Sequence, residues 1–246
     1  MELKQYEYVS PLLNRYLPSD EEFYAWLRGN DVPSVISGIE RVVPEIIIPR
    51  SVSLDTELLN IVTENFHKPI SRRVDGQVVG MITIGELFTG YSKRFEFGMQ
   101  LLKDYPLNLE PMEQGFQNDR LYYLTSLLMG LFGVEADIAN DARHHFRTEI
   151  AEFAHKTWEK YRVGSSTMPH KINPAEYERI VSLHKEFSSW LLSAKMSQIN
   201  EHQEDSTNDY MPSLVFGTAC AVGYVTKYLE NALKNLEFKV HKLSKI

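Results

Sequence analysis

The chain has 246 residues, a formal net charge of −7 and a single cysteine. The negative charge argues against a surface that binds anionic membranes, or that binds nucleic acid without sequence preference. One cysteine excludes a disulfide framework within the chain, so we expect a reducing compartment. The composition, 43% hydrophobic and 24% charged, is typical of a soluble globular protein with a buried core.

Five of the eleven prolines fall within the first fifty residues, which predicts only short helices there. The segment "VVPEIIIP" (42–49) is predicted to be a short strand or an extended linker, because Pro44 and Pro49 bracket it. No apolar run reaches the roughly 18 residues that a membrane-spanning helix needs. The amino terminus also lacks the apolar core of a signal peptide. We therefore expect a cytoplasmic protein.

Apolar residues recur at helical spacing through most of the remaining chain. The proline-free segment 117–162 is predicted as one helix, which would be about 69 Å long at 1.5 Å per residue. The other predicted helices are 55–66, 81–102, 175–203 and 211–238. Helices of this length favour an all-α fold, an elongated bundle that packs against copies of itself.

The predicted domain division has two parts. Residues 1–52 form a small irregular region with short helices, and residues 53–246 form the long-helix bundle with a loop at 163–174. That loop reads "VGSSTMPHKINP", and Asn173, Pro174 and Glu176 predict that a helix begins at Pro174. The free N–H groups of such a helix and the nearby Lys171 make a site for a carboxylate or a phosphate. From the residues alone, an ordinary polar turn with a good helix cap is an equally good interpretation.

The string "GSSTMPHKINP" closely resembles the mobile-loop signature of the fumarase/aspartase superfamily, and it is most like the adenylosuccinate lyase branch. It matches every fixed position of the pattern G-S-S-x-M-P-x-K-x-N-P. Two further segments, "YVSPLLNRY" (8–16) and "HKPISRRVDGQVVGMITIGELF" (67–88), resemble the amino-terminal element and the second conserved block of that branch. The segment "RTEIAEF" (147–153) resembles the helix that precedes the loop. The resemblance covers most of residues 65–190.

The resemblance implies an all-α homotetramer with a long central helical bundle of the fumarase/aspartase type. Three conserved blocks from different subunits meet at each active site of the family. Members release fumarate from a small-molecule succinyl adduct by β-elimination, without a metal or another cofactor. This chain is identified as a shortened, divergent member, with a role in purine biosynthesis implied.

By the same resemblance, Ser165 takes the Cβ proton with Ser166 beside it, and Lys171 and Asn173 hold the substrate carboxylate. The preorganised positive charge suits the negative charge that builds up on that carboxylate in the transition state. The remaining implied substrate contacts are Arg15 and Tyr16, at the nucleotide phosphate, and Gln77, Met168, His170 and Ser206.

The chain departs from the family pattern in several places: an earlier conserved block is not recognisable, the connection from residue 102 to 117 is short, and two single positions differ. Asp75 stands where the family has a histidine that protonates the leaving nitrogen or positions the acid that does. An aspartic acid donates a proton only if burial raises its pKa well above the usual value of about 3.9. His202 is the best substitute donor elsewhere. Glu201 stands where an arginine is expected, which suits a substrate with less negative charge.

The sequence therefore predicts a lyase that cleaves the C–N bond of an adenylosuccinate-like adduct, with Asp75 among the candidate catalytic residues. Two alternatives remain open. One is a non-catalytic paralogue that serves as a binding or assembly partner, which the change at Asp75 motivates. The other is a cycloisomerase-type sister enzyme that shares the loop.

Overall fold

The structure is a computed structural model that describes residues 21–22, 25–26, 35–109, 113–157, 168, 173–202 and 205–239. Most of this length is helical and the strands are short, which confirms the predicted all-α class. The helices are α1 (Val35–Val42), α2 (Ile48–Asn65), α3 (Ile84–Asp104), α4 (Gln114–His145), α5 (Ala175–Met196) and α6 (Met211–Lys234). The strands are β1 (Pro69–Val74), β2 (Gln77–Thr83), β3 (Phe153–His155) and β4 (Leu236–Phe238).

Both interpretations of residues 42–49 are wrong, because this segment is helical. A π-helical turn, Val43–Ile47, joins α1 to α2. Pro44 lies in the first turn of that element and Pro49 is the second residue of α2. Proline is tolerated at such positions, since its missing N–H and fixed φ disturb a helix least at its start.

The predicted single helix over 117–162 ends early, at His145. The chain then turns, with Ala151 at a φ of 46°, and β3 follows, so the helix expected over 147–153 is also wrong. Strand β3 pairs antiparallel with β4, and His155 lies opposite Leu236. Helical periodicity cannot predict this exit from the helix, because the partner strand comes about eighty residues later in the chain.

Strands β1 and β2 form an antiparallel hairpin in which Val74 lies opposite Gln77. Because β2 continues to Thr83, α3 begins three residues later than the predicted start at 81. Thr83 and Glu86 fix this start with a reciprocal capping box. The Thr83 N–H donates to Oε2 of Glu86 at 2.7 Å, and the Glu86 N–H donates to Oγ1 of Thr83 at 3.0 Å.

The chain divides into two compact units. The first unit comprises Met1–Ser51, Gly98–Gly133 and Ser182–Lys227, and the second comprises Val52–Phe97, Val134–Val181 and Tyr228–Ile246. The division at residue 52 into an irregular region and a bundle stays a prediction. Both two-stranded sheets, and the described residues on either side of the signature, belong to the second unit.

An aromatic cluster forms the core of the second unit beneath these sheets. The ring of Phe153 lies 5.1 Å from that of Phe238 and 4.5 Å from the stacked imidazole of His145, measured between centroids. Phe146 contacts Phe153 and also Tyr177, at 6.3 and 5.6 Å. Because each ring comes from a different element or chain region, the cluster fixes β3 against α4, α5 and β4.

Within the described residues, α4 is long and apolar enough in composition to cross a membrane. However, 56% of its most apolar 18-residue stretch is buried inside the protein. The core helix of a helical bundle has the same two properties.

Candidate active site

The second conserved block forms the β1–β2 hairpin, and Asp75 lies at its tip. Asp75 and Gly76 are the two residues of the turn, with φ values of 49° and 78°. Positive φ at both central positions is typical of a type I′ hairpin turn, which Asp-Gly adopts readily. Asp75 and Gln77 are both exposed. The described residues therefore do not supply the burial that a carboxylic acid donor requires.

Arg73 connects the turn to a buried carboxylate. Its Nη1 donates to the Gly76 carbonyl oxygen at 3.4 Å, and its Nη2 lies 3.9 Å from Oε2 of Glu152. A β-bulge stands beside it, since Arg73 lies opposite Val78 while the preceding residue lies opposite Gly80. Bulges of this kind change the direction of neighbouring side chains. The guanidinium thus lies between the turn and Glu152.

Glu152 is a buried carboxylate that joins three elements. The Ser71 N–H donates to its Oε1 at 3.0 Å, and Nδ1 of His145 lies 2.8 Å from its Oε2. Burial alone would raise the pKa of Glu152, but the hydrogen bonds from His145 and Ser71 outweigh it and lower the pKa to about 2. An ionised carboxylate with several donors is a stable buried arrangement. Glu152 therefore fixes β1 against the end of α4.

The signature segment, residues 163–174, leads at its end into α5, as predicted. The helix begins at Ala175, and the Tyr177 and Glu178 N–H groups donate to the Pro174 carbonyl oxygen at 3.1 and 3.0 Å. Asn173 is half-buried just before this start. Two acidic side chains, Glu176 and Glu178, lie in the first turn, where the helix dipole favours negative charge. A bound carboxylate would share this positive field with them.

The other implied site residues fall in separate places. Met168 is exposed in the second unit. Ser206 is exposed in the first unit, in a 3-10 turn (Ser206–Asn208) where Asp205 Oδ1 accepts from the Thr207 N–H at 2.9 Å. His202, also in the first unit, is exposed with a φ of 62°. The implied site residues that lie outside the described residues are Arg15, Tyr16, Ser165, Ser166, His170 and Lys171.

Strand β3 links the β1–β2 hairpin, which is the second conserved block, to the start of α5, which follows the loop signature. Glu152, the residue before it, holds the hairpin through Ser71. His155, its last residue, has its Nε2 3.0 Å from Oε1 of Glu176, in the first turn of α5. The hairpin that carries Asp75 and the helix start that follows Asn173 are therefore attached to opposite ends of one short strand.

Sequence reasoning missed these buried polar residues. His145, Glu152, His155 and Glu176 have no spacing that identifies them as a group, because β3 was predicted to be helical. Their burial depends on the pairing of β3 with β4, a long-range contact. Among the described residues, no cluster of three or more histidine, cysteine, aspartate or glutamate side chains is arranged to hold a metal ion.

No family model matches the chain. Over 147 residues it is 32% identical to an adenylosuccinate lyase of Methanothermobacter thermautotrophicus, which covers 54% of this chain and 33% of that enzyme. Over 143 residues it is 29% identical to the N-acetyl-S-(2-succino)cysteine lyase of Enterococcus italicus, which covers 58% of this chain and 31% of that enzyme. The chain thus spans about a third of the length of these curated relatives.

A similarity of fold extends further than the similarity of sequence. The crystal structure of the fumarate lyase:delta crystallin from Brucella melitensis superposes with a TM-score of 0.72 at 15% identity, covering 84% of this chain and 53% of that one. At this identity the superposition establishes the fold alone. The chain is thus similar in sequence to adenylosuccinate lyases over about half of its length and shares the fold of a fumarate lyase, which agrees with the resemblance of the loop signature.

Proposed function

We propose that the protein is a lyase that releases fumarate from a succinyl adduct by β-elimination. The observation that carries the proposal is the signature "GSSTMPHKINP", which matches every fixed position of the family pattern. The similarity to an adenylosuccinate lyase and to a succinocysteine lyase supports the same class of reaction. Both relatives are named for substrates that carry a succinyl group on a heteroatom.

In the proposed reaction, the Ser165 oxygen removes the proton from Cβ of the succinyl group. The electron pair of the broken C–H bond first builds up on the adjacent carboxylate. It then forms the C=C bond of fumarate while the bond from Cα to the heteroatom breaks, and that heteroatom keeps its own electron pair. Lys171 and Asn173 bind the carboxylate on which charge accumulates, at the start of α5. Ser166 lies next to the base in the sequence.

For a nitrogen leaving group, we assign the donated proton to Asp75. An amine anion is a very poor leaving group, so the departing nitrogen needs a proton from the enzyme. Asp75 is exposed in this chain, and the role requires that the substrate or another subunit covers it. The proposed substrate contacts are Arg15, Tyr16, Gln77, Met168, His170 and Ser206.

The proposal extends to the setting in which the enzyme works. We infer a cytoplasmic homotetramer that acts on a small molecule, with purine biosynthesis as the context if the substrate is adenylosuccinate. A tetramer would bring the hairpin of one subunit to the signature segment of another. The substrate, the assembly and the compartment are all parts of the proposal.

A second candidate is a lyase whose leaving atom is sulfur. The exposed Asp75 favours it, because a thiolate leaves without prior protonation far more readily than an amine does. The match to N-acetyl-S-(2-succino)cysteine lyase points to the same chemistry. Glu201, in place of an arginine, also suits a substrate that lacks a phosphate.

The test is fumarate release, followed by its absorbance, from adenylosuccinate, argininosuccinate and N-acetyl-S-(2-succino)cysteine. Asp75→Asn is the informative variant, since asparagine also adopts the turn conformation but cannot donate this proton. We expect Asp75→Asn to lower the rate about 100-fold for a C–N substrate and to leave the rate for a C–S substrate within about threefold. Turnover of the sulfur compound alone would select the second candidate.

Silence with every compound, in protein shown to be folded and assembled, would reject both lyase candidates. A non-catalytic partner of a lyase, or a cycloisomerase-type enzyme, would then explain the sequence better. Co-purification with a full-length lyase would support the former.

A further inference from the structure

The last turn of α6 and the residue after it bind the chain at Lys156 and Thr157, shortly before the signature segment. These two residues are called its entry. Asn235 follows α6 directly. The Lys156 N–H donates to the Asn235 carbonyl oxygen at 2.8 Å, and Oδ1 of Asn235 accepts from the Thr157 N–H at 3.2 Å and from the Thr157 hydroxyl at 2.9 Å. The Lys156 ammonium donates to the Lys234 carbonyl oxygen at 3.0 Å.

The exit of the segment is anchored to the same helix end. The Tyr177 hydroxyl donates to the Ala232 carbonyl oxygen at 3.2 Å, and the Tyr177 side chain is fully buried. Two residues further along α5, the guanidinium of Arg179 lies 5.7 Å from the ring centroid of Tyr228, which also belongs to α6. Contacts on one helix therefore hold the chain both before and after residues 158–172.

His155 lies between the two anchors. Nδ2 of Asn235 lies 3.3 Å from its Nδ1, and its Nε2 lies 3.0 Å from Oε1 of Glu176. The second contact joins a ring nitrogen of His155 to a carboxylate oxygen of Glu176. Both side chains are buried, at 4% and 7% exposure, so they contact each other away from bulk solvent. One imidazole thus joins the entry, the exit and Asn235.

This arrangement has a physical basis in the end of the helix. The last carbonyl groups of an α-helix have no partner within the helix and carry partial negative charge. Here a lysine ammonium, a backbone N–H and a tyrosine hydroxyl, all from the flanks of one segment, donate to carbonyls of residues 232–235. Fixing both ends of a segment also lowers the entropy cost of holding it in one arrangement.

We propose that Asn235, with the buried His155–Glu176 contact, positions the signature segment for the reaction. Asn235 is a positioning residue, since it lies outside the conserved blocks and acts through His155 and Thr157. This proposal rests on the proposed function, because the segment carries Ser165 and Lys171. It adds a residue late in the chain, in no part of the sequence that the family resemblance identifies.

Two variants and one control test the role. Asn235→Ala removes the acceptor for Thr157 and the contact with His155, whereas Asn235→Asp keeps the acceptor. Asn65→Ala is the matched control, because Asn65 is a buried asparagine at the end of α2 in the same unit, with its Nδ2 donating to the Ile61 carbonyl oxygen at 3.0 Å. Both alanine variants lose a polar contact at a helix end.

The first measurement needs no substrate. Trypsin cleavage within residues 156–174, which contain Lys156, Lys160, Arg162 and Lys171, is followed by mass spectrometry under native conditions. We expect Asn235→Ala to raise the rate of the first cut in this segment about tenfold, and Asn65→Ala to leave it unchanged. Cleavage that is unchanged in Asn235→Ala, or equally raised in Asn65→Ala, overturns the proposal even if the enzyme is active.

The second measurement is fumarate release with the best substrate. We expect kcat to fall about tenfold in Asn235→Ala, KM to stay within threefold, and Asn235→Asp to recover most of the rate. A loss in Asn65→Ala of the same size would show general destabilisation and overturn the positioning role. If the wild-type protein releases no fumarate while Asn235→Ala still raises cleavage, the anchor stands and the lyase function falls.

Discussion

The β1–β2 hairpin and the segment 163–174 both match the lyase family, and the described structure gives physical reasons for part of the first match. In the hairpin, Gly76 has a positive φ, Thr83 caps α3, and a Cβ on Gly85 would lie 2.8 Å from the Phe66 backbone. These three residues, which match the family's second conserved block, each meet a structural requirement. A polar loop has no structural requirement for two adjacent serines and a lysine, because many other residues would suit a loop equally well. The matches at Gly76, Thr83 and Gly85 are therefore evidence for the fold, and the match in the loop is evidence for chemistry.

The largest expected effect on stability is at Gly85. Gly85→Ala forces a methyl group against the Cα and carbonyl oxygen of Phe66, and backbone cannot move aside as a side chain does. We expect a loss of about 2 kcal/mol in the free energy of unfolding, measured by urea denaturation. The control is Gly90→Ala in the same helix, where nothing lies within 4 Å and alanine should stabilise by about 1 kcal/mol. Equal free energies of unfolding in the two variants would show that the fold does not require glycine at position 85.

A smaller loss is expected at the start of α3. Thr83→Ala removes the hydroxyl that accepts from the Glu86 N–H, and such caps contribute about 1 kcal/mol. Thr89→Ala, inside the same helix, should change the free energy of unfolding by much less. If Thr83→Ala kept full stability but lost fumarate release, the match at Thr83 would reflect chemistry, and the two regions would no longer differ.

At Glu152 the expected effect is a change in the pH dependence of stability. Its pKa is held at about 2 in the folded protein, against an ordinary value of 4.5. Its contribution to stability is therefore complete above about pH 5 and is lost as the pH falls from 4.5 towards 2. We expect Glu152→Gln to flatten the fall in thermal stability across this range. Glu149→Gln, at an exposed position in the same turn, is the control, and a slope equally flattened there would contradict the assignment.

Local sequence signals predict some elements well, and at others they conflict with the helical periodicity. The order Asn173, Pro174, Glu176 predicts a helix start, and α5 begins one residue after Pro174. Asp75-Gly76 is a strong sequence sign of a two-residue hairpin, and Thr83 with Glu86 is a capping box, yet the periodicity from residue 81 favoured a longer helix. Both signals were present in the sequence.

Other features could not be predicted from local sequence. The end of α4 at His145 has no proline or glycine to mark it, and β3 exists because β4 pairs with it from a distant part of the chain. The roles of Glu152, His155 and Asn235 depend on that pairing. The family resemblance identified the segment that carries the proposed base, whereas the residues that hold its ends became apparent only in three dimensions.

The measurement that tests the central claim most directly compares two substitutions within the signature. Ser165→Ala removes the proposed base, and Thr167→Ala changes the position two residues later, which the family pattern leaves free. With the best succinyl substrate, we expect Ser165→Ala to lower the rate of fumarate release by a factor of about 10² to 10⁴, and Thr167→Ala to stay within about threefold of wild type. Equal rates in the two variants, in folded protein of the same assembly, would contradict the claim that this segment performs the chemistry.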